Sequence, residues 1–98
     1  MDLKISGKTA LIAASSKGLG KASAVSLAKE GVNLVLCARG KEELEKTAKE
    51  IEKMAPKIKV LTFALDLNNA SEIEAMFTKL KKDKVNIDIL VTNNGGPK

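Results

Sequence analysis

Tyrosine and tryptophan are absent from the 98 residues, and Phe63 and Phe77 are the only aromatics. The core must therefore come from Val, Ile, Leu, Ala and Met. No aromatic platform accompanies the positive charge for nucleic-acid bases to stack on. A single cysteine, Cys37, excludes an internal disulfide frame and a cysteine-rich metal site. Lying inside an apolar run, it reads as a buried strand thiol. No apolar run approaches the ~20 residues that cross a bilayer. Met1-Asp2-Leu3-Lys4 opens into a Gly-marked turn without an apolar leader. The expectation is a cytoplasmic chain with no membrane and no nucleic-acid partner. Gly-Lys-Ser/Thr is missing as well, which argues against a P-loop.

What is present suits one small globular domain spanning 1–98: 44 % of residues are hydrophobic and 30 % charged. The formal net charge is +5. Most lysines nevertheless sit beside glutamates at helical spacing, as in Glu42/Lys46 and Glu45/Lys49, the pattern of a solvated helix face.

The organising stretch is Thr9–Gly20. Lys8–Ala14 is a near-continuous apolar run, as in a parallel strand covered on both faces. It passes through Ser15-Ser16-Lys17 into Gly18-Leu19-Gly20. A helical pattern follows to Glu30, with Leu19, Ala22, Val25 and Ala28 as its stripe, and Gly31 reads as an αL cap. Val32–Ala38 is the second strand. Lys41–Met54 is an amphipathic helix presenting Leu44, Ala48, Ile51 and Met54, ended by Pro56. Lys59–Leu65 is the third strand. Asn68-Asn69-Ala70 turns the chain, and Ser71 with Glu74 predicts a capping box ahead of Ile73, Met76, Phe77 and Leu80. Ile87–Thr92 is the fourth strand, with Asp88 read as structural.

This β-α-β-α-β-α-β order predicts an α/β fold: a Rossmann-like, doubly wound parallel sheet of order 3-2-1-4 with right-handed crossovers. The switch point falls between the first and fourth strands. Ligands of such sheets bind there, outside the carboxyl ends. The Ser15–Gly20 and Asn93–Gly96 turns flank that crevice, and backbone N–H groups at a helix N-terminus can hold a phosphate.

Ala13 to Gly20 resembles the Thr-Gly-x-x-x-Gly-x-Gly turn of the short-chain dehydrogenase/reductase family, including its 3-oxoacyl-carrier-protein-reductase-like members. Asp66-Leu67 after the third strand extends the resemblance. So does Asn93-Asn94-Gly95-Gly96, similar to the family's Asn-Asn-Ala-Gly. Two departures matter. Ala13-Ala14 stand for Thr-Gly, so a β-carbon at residue 14 crowds an approaching pyrophosphate, although the fold tolerates it while φ stays negative. The family's catalytic Ser and its Tyr-x-x-x-Lys have no counterpart, since the chain holds no tyrosine. The resemblance thus implies the N-terminal cofactor-binding part of a longer reductase, cut after the fourth strand, with no catalytic residue and no metal of its own.

Each implied cofactor residue has a plainer alternative. Gly18 and Gly20 admit a pyrophosphate or allow close helix–strand packing. Ser15 and Ser16 donate to phosphate or cap the helix. Lys17 reaches an adenosine 2′-phosphate or is solvated. Leu19 belongs to the same turn. Asp66, with the Leu67 backbone, accepts from the adenine amino group or closes an Asx turn. Asn94 lines the adenosine ribose or only makes a turn. Arg39 discriminates between cofactors. NAD sites place a carboxylate about twenty residues past the glycines to accept from the ribose 2′-OH. Cys37-Ala38-Arg39 offers a guanidinium instead, suited to a phosphate. Lys17 and Arg39 together point to NADP.

The implied activity is NADP-dependent interconversion of a small carbonyl compound and a secondary alcohol by the longer parent. The alternatives are a non-catalytic NADP-binding or regulatory module, or a structural fragment. A fourth strand left as an edge predicts homo-oligomers. Exposure of apolar side chains of the first and fourth strands on the face covered by only one helix supports the same expectation.

Overall fold

The computed structural model describes residues 7–14, 19–66 and 68–93. Its elements alternate: β1 (Thr9–Ala14), α1 (Leu19–Lys29), β2 (Asn33–Ala38), α2 (Lys41–Met54), β3 (Val60–Ala64), α3 (Ala70–Lys82) and β4 (Ile89–Asn93). The four strands form one parallel sheet in the order β3-β2-β1-β4. Strands begin and end within two residues of the apolar runs.

Register assigns the two faces. Leu11 lies between Val35 and Leu90, and Val35 beside Leu61, so these four share a face; Ile12 lies between Leu36 and Val91 on the other. On the second face Ala10, Ile12, Leu34 and Leu36 pack with Ala24 and Ala28 of α1 and Leu44, Ala48 and Ile51 of α2. On the first, Leu11, Val35 and Cys37 pack with Leu65 and with Met76 and Leu80 of α3. Two helices on one side and one on the other follow from right-handed crossovers that reverse direction at β1. Each large side chain buried here, such as Ile12, Leu34 and Ile51, contributes about 1.5–3 kcal/mol.

Helices α1 and α3, which lead into β2 and β4, close in the same way. Gly31 N–H donates to Ala28 O at 3.0 Å and Val32 N–H to Leu27 O at 3.1 Å, with Gly31 at φ 82°. This is a Schellman motif, and the αL glycine is where the sequence places it. At α3 the same pair of bonds runs from Lys84 to Lys81 and from Val85 to Leu80. Here a lysine, Lys84, takes the left-handed position at φ 60°.

Several sequence expectations are corrected. The buried stripe of α1 is Ala24 and Ala28, with Val25 and Leu27 at its sides, while Ala22 faces solvent. The sheet contacts the helix through its i, i+4 small residues, where the backbone can approach most closely. Met54 of α2 and Phe77 of α3 are exposed, at 41 % and 43 %. The cap of α3 is Asn69, whose Oδ1 accepts from Ser71 N–H at 3.0 Å and Glu72 N–H at 3.2 Å. Asn69, being extended, leaves its side chain free to fold over the first turn, so Ser71 is already helical. Glu72, three residues on, accepts instead from Asp66 N–H at 3.3 Å. Finally, Leu11 is buried against α3, with Ala13 of β1 partly covered, whereas Leu90 of β4, at 64 % exposure, is not.

Candidate functional site

Parallel strands bring their carboxyl ends to one edge, and register shows which residues meet there. Ala14, the last residue of β1, pairs with Asn93 at the end of β4, and Ala13 pairs with Cys37. Ala14 ends the strand with extended backbone. Helix α1 begins five residues later at Leu19-Gly20, and its first turn holds no acidic residue. The positive end of that helix dipole is therefore not neutralised by its own side chains. Ser15, Ser16, Lys17, Gly18, Leu67 and Asn94 lie outside the described residues.

Arg39 follows β2 directly and is exposed. It is thus at the same edge as the carboxyl end of β1, one strand away. Leu65 N–H donates to Ala38 O at 2.9 Å, extending the β2–β3 ladder and fixing where Asp66 emerges. Asp66 is half-buried. Its Oδ1 accepts from Asn68 N–H at 2.9 Å, and its carbonyl accepts from Asn69 N–H at the same distance. The Asx turn is therefore real. It occupies one carboxylate oxygen and holds the side chain at the strand end. Glu72, bonded to Asp66 N–H, is the residue that sequence reasoning missed. Its signal was a Glu three residues after Asn69, the spacing of a capping box displaced by two from the expected one.

Cys37 sits just inside this edge, 1 % exposed, with Sγ donating to Ile12 O at 3.7 Å. Burial pushes its pKa up to about 11. It is the buried strand thiol expected, and protonated at neutral pH. Asp88, at the opposite edge, joins β4 to β1. Its N–H donates to Thr9 O at 2.9 Å and its Oδ2 accepts from Thr9 N–H at 3.0 Å. Among the described residues no cluster of His, Cys, Asp or Glu could hold a metal ion. None of the described helices is long and apolar enough to cross a membrane.

The edge so built has the chemistry to receive an anion. It combines a helix N-terminus without acids and an exposed guanidinium. Known proteins share this fold. The L-sorbose reductase of Gluconobacter frateurii, solved with NADPH and L-sorbose, superposes on the whole chain with a TM-score of 0.89 at 36 % identity, the chain covering 37 % of it. An NADP-dependent 3-hydroxy acid dehydrogenase of Schizosaccharomyces pombe is 37 % identical over 93 residues, which is 94 % of this chain and 36 % of that protein. A short chain dehydrogenase/reductase of Gibberella zeae is 36 % identical over 89 residues, 91 % of this chain and 32 % of its own. The chain thus spans about a third of the length of the curated relatives it matches. The family model for short chain dehydrogenase matches residues 8–98. The chain belongs to the short-chain dehydrogenase/reductase family.

Proposed function

We propose that this chain supplies the adenosine half of an NADP site in an oxidoreductase that interconverts a carbonyl compound and a secondary alcohol. The observation that carries the cofactor choice is exposed Arg39 at the end of β2, where an NAD-preferring site has a carboxylate. The relatives support it, since one is named as NADP-dependent and one was solved with NADPH. Arg39 and Lys17 hold the 2′-phosphate, with Arg39 accepting it on its guanidinium fork. Ser15, Ser16, Gly18, Leu19 and Gly20 form the pyrophosphate turn. Asp66 receives the adenine amino group on the oxygen not used by its Asx turn, beside the Leu67 backbone, and Asn94 lines the ribose.

The cofactor, when bound, supplies hydride from its nicotinamide. The residues of this chain bind and orient its adenosine end. No tyrosine is available for the proton, so by this reading the 98 residues alone do not turn over substrate. The apolar edge strand β4, with Leu90 exposed, is read as a self-association surface.

Titration of the chain with NADP and NAD tests the assignment. A charge-assisted hydrogen bond contributes about 1.5–3 kcal/mol, so NADP should bind at least about tenfold more tightly. Equal affinities would remove Arg39 as the discriminating group.

A further inference from the structure

The corner between β3 and α3 is closed by its own hydrogen bonds. Leu65 N–H donates to the carbonyl of Ala38, the last residue of β2. One residue further along this edge strand, Asp66 N–H finds its acceptor in a side chain, Glu72 Oε1 at 3.3 Å. The carbonyl of Asp66 accepts from Asn69 N–H at 2.9 Å, and Asn69 Oδ1 accepts from Glu72 N–H at 3.2 Å. Asp66, Asn69 and Glu72 thus close a ring of hydrogen bonds, each residue accepting from the next.

Most of this ring is ordinary for a helix start. Asn69 caps α3, and Glu72 lies in the first turn, where a carboxylate suits the helix dipole. In a capping box that glutamate returns to the N–H of the cap residue. Here the cap's N–H is already occupied by Asp66 O, and Glu72 reaches past it to Asp66. The consequence falls on Asp66, whose N–H and carbonyl are both held. Its Oδ1 is bonded as well, to Asn68 N–H at 2.9 Å. Asp66 and Glu72 are half-buried, so water competes less for the bond between them.

We propose that Glu72 is a positioning residue for base recognition. It holds Asp66 so that the carboxylate oxygen outside the Asx turn selects a 6-amino purine over a 6-oxo purine. This role rests on the reading that Asp66 receives the adenine amino group. A carboxylate accepts from an amino group, but it meets an oxo group as acceptor against acceptor. A site built to hydrogen-bond one group rejects an analogue that lacks it. That rejection depends on the acceptor staying in place. Without the bond to Glu72 the Asp66 peptide is free to turn, and base selection is lost while the phosphates are still held.

Titration of the full chain with NADP, NAD and nicotinamide hypoxanthine dinucleotide phosphate tests this. The native chain should bind NADP at least about tenfold more tightly than the hypoxanthine analogue. Glu72→Ala should cut that preference to less than about threefold, with the NADP-to-NAD ratio set by Arg39 unchanged. Glu72→Gln keeps an oxygen for Asp66 N–H and should retain the preference. Glu74→Ala removes the same charge from an exposed position nearby and should retain it too. Thermal melts check folding; if Glu72→Ala does not fold, Glu72→Met, of similar length but without the acceptor, takes its place. A preference that survives in Glu72→Ala overturns the proposal. So does a loss shared by Glu72→Gln, by Glu74→Ala or by the NADP-to-NAD ratio. Asp66→Ala separates the two layers. Preference lost there but kept in Glu72→Ala removes only the role of Glu72, whereas a native chain without preference removes the reading of Asp66 as well.

Discussion

Arg39 and Cys37 are two residues apart, yet they meet opposite environments at the end of β2. Arg39 is exposed; Cys37 packs with Leu11, Val35 and Met76 inside. Arg39→Asp replaces an attraction for phosphate by a repulsion. It should lower NADP affinity at least about a hundredfold while changing NAD affinity far less, twice the contribution of one charge-assisted bond. Isothermal titration with both nucleotides reads the ratio. For Cys37 the pKa moves from 9.0 in the unfolded chain to about 11 in the folded one. Between those values the unfolded state has lost the proton that the native state keeps. Stability is therefore unaffected by this group below pH 9 and falls as pH rises toward 11, by up to about 2 kcal/mol. Denaturant melts at pH 8 and pH 10.5 should show the fall, and a Cys37→Ala variant should show less of it. Native protein should also resist thiol alkylation at pH 8 until denaturant is added.

At the scale of the element, the start of α3 separates two readings of the same hydrophilic run. Ser71 and Glu74 have the spacing of a capping box, but so do Asn69 and Glu72; the structure caps the helix with Asn69, while Glu72 accepts from Asp66 N–H. Asn69→Ala should destabilise the protein by about 1 kcal/mol, the usual cost of losing an N-cap side chain. Ser71→Ala should cost no more than a few tenths, since alanine is the better helix former at an interior position. Urea midpoints of the two variants check the order, and a larger effect at Ser71 would return the cap to the position first expected. Such alternatives are hard to rank from sequence because both satisfy the same local rule. What distinguishes them is where the chain leaves β3, and that is set by the ladder bond from Leu65 to Ala38 and by the Asx turn of Asp66.

For the whole molecule, the consequence of topology is an asymmetry between the two sheet faces and the two sheet edges. Two helices cover the centre of one face, with Val60, Ile89 and Val91 only partly buried at its margins, while α3 alone covers the other as far as Leu11. Leu90 lies beyond its reach on an edge strand, Ile89–Asn93, with no charged residue to discourage pairing. Sedimentation of the 98-residue chain should therefore show self-association at high micromolar concentration. Leu90→Lys should shift it toward monomer, because a lysine on the edge opposes both strand pairing and apolar contact. A monomer at all concentrations would show that β4 is not a self-association surface.

The order of elements, the parallel sheet and its 3-2-1-4 arrangement were legible in the chain itself. Apolar runs of five to seven residues alternating with helical periodicity admit few other folds, and handed crossovers then decide which helix covers which face. The glycine at Gly31 was legible for the same kind of reason, since its left-handed backbone is a local requirement. Tertiary structure decided what periodicity leaves free. A helix with a 3.6-residue repeat can dock at several azimuths, and the close approach of α1 to the sheet selected Ala24 and Ala28 over Ala22. The azimuth of α3 likewise left Phe77 outside while Met76 and Leu80 were buried. Glu72 met Asp66 N–H only because the Asx turn brings the start of α3 back to the end of β3. Spacing along the chain suits Glu74 equally well, and the path of the fold decides between them.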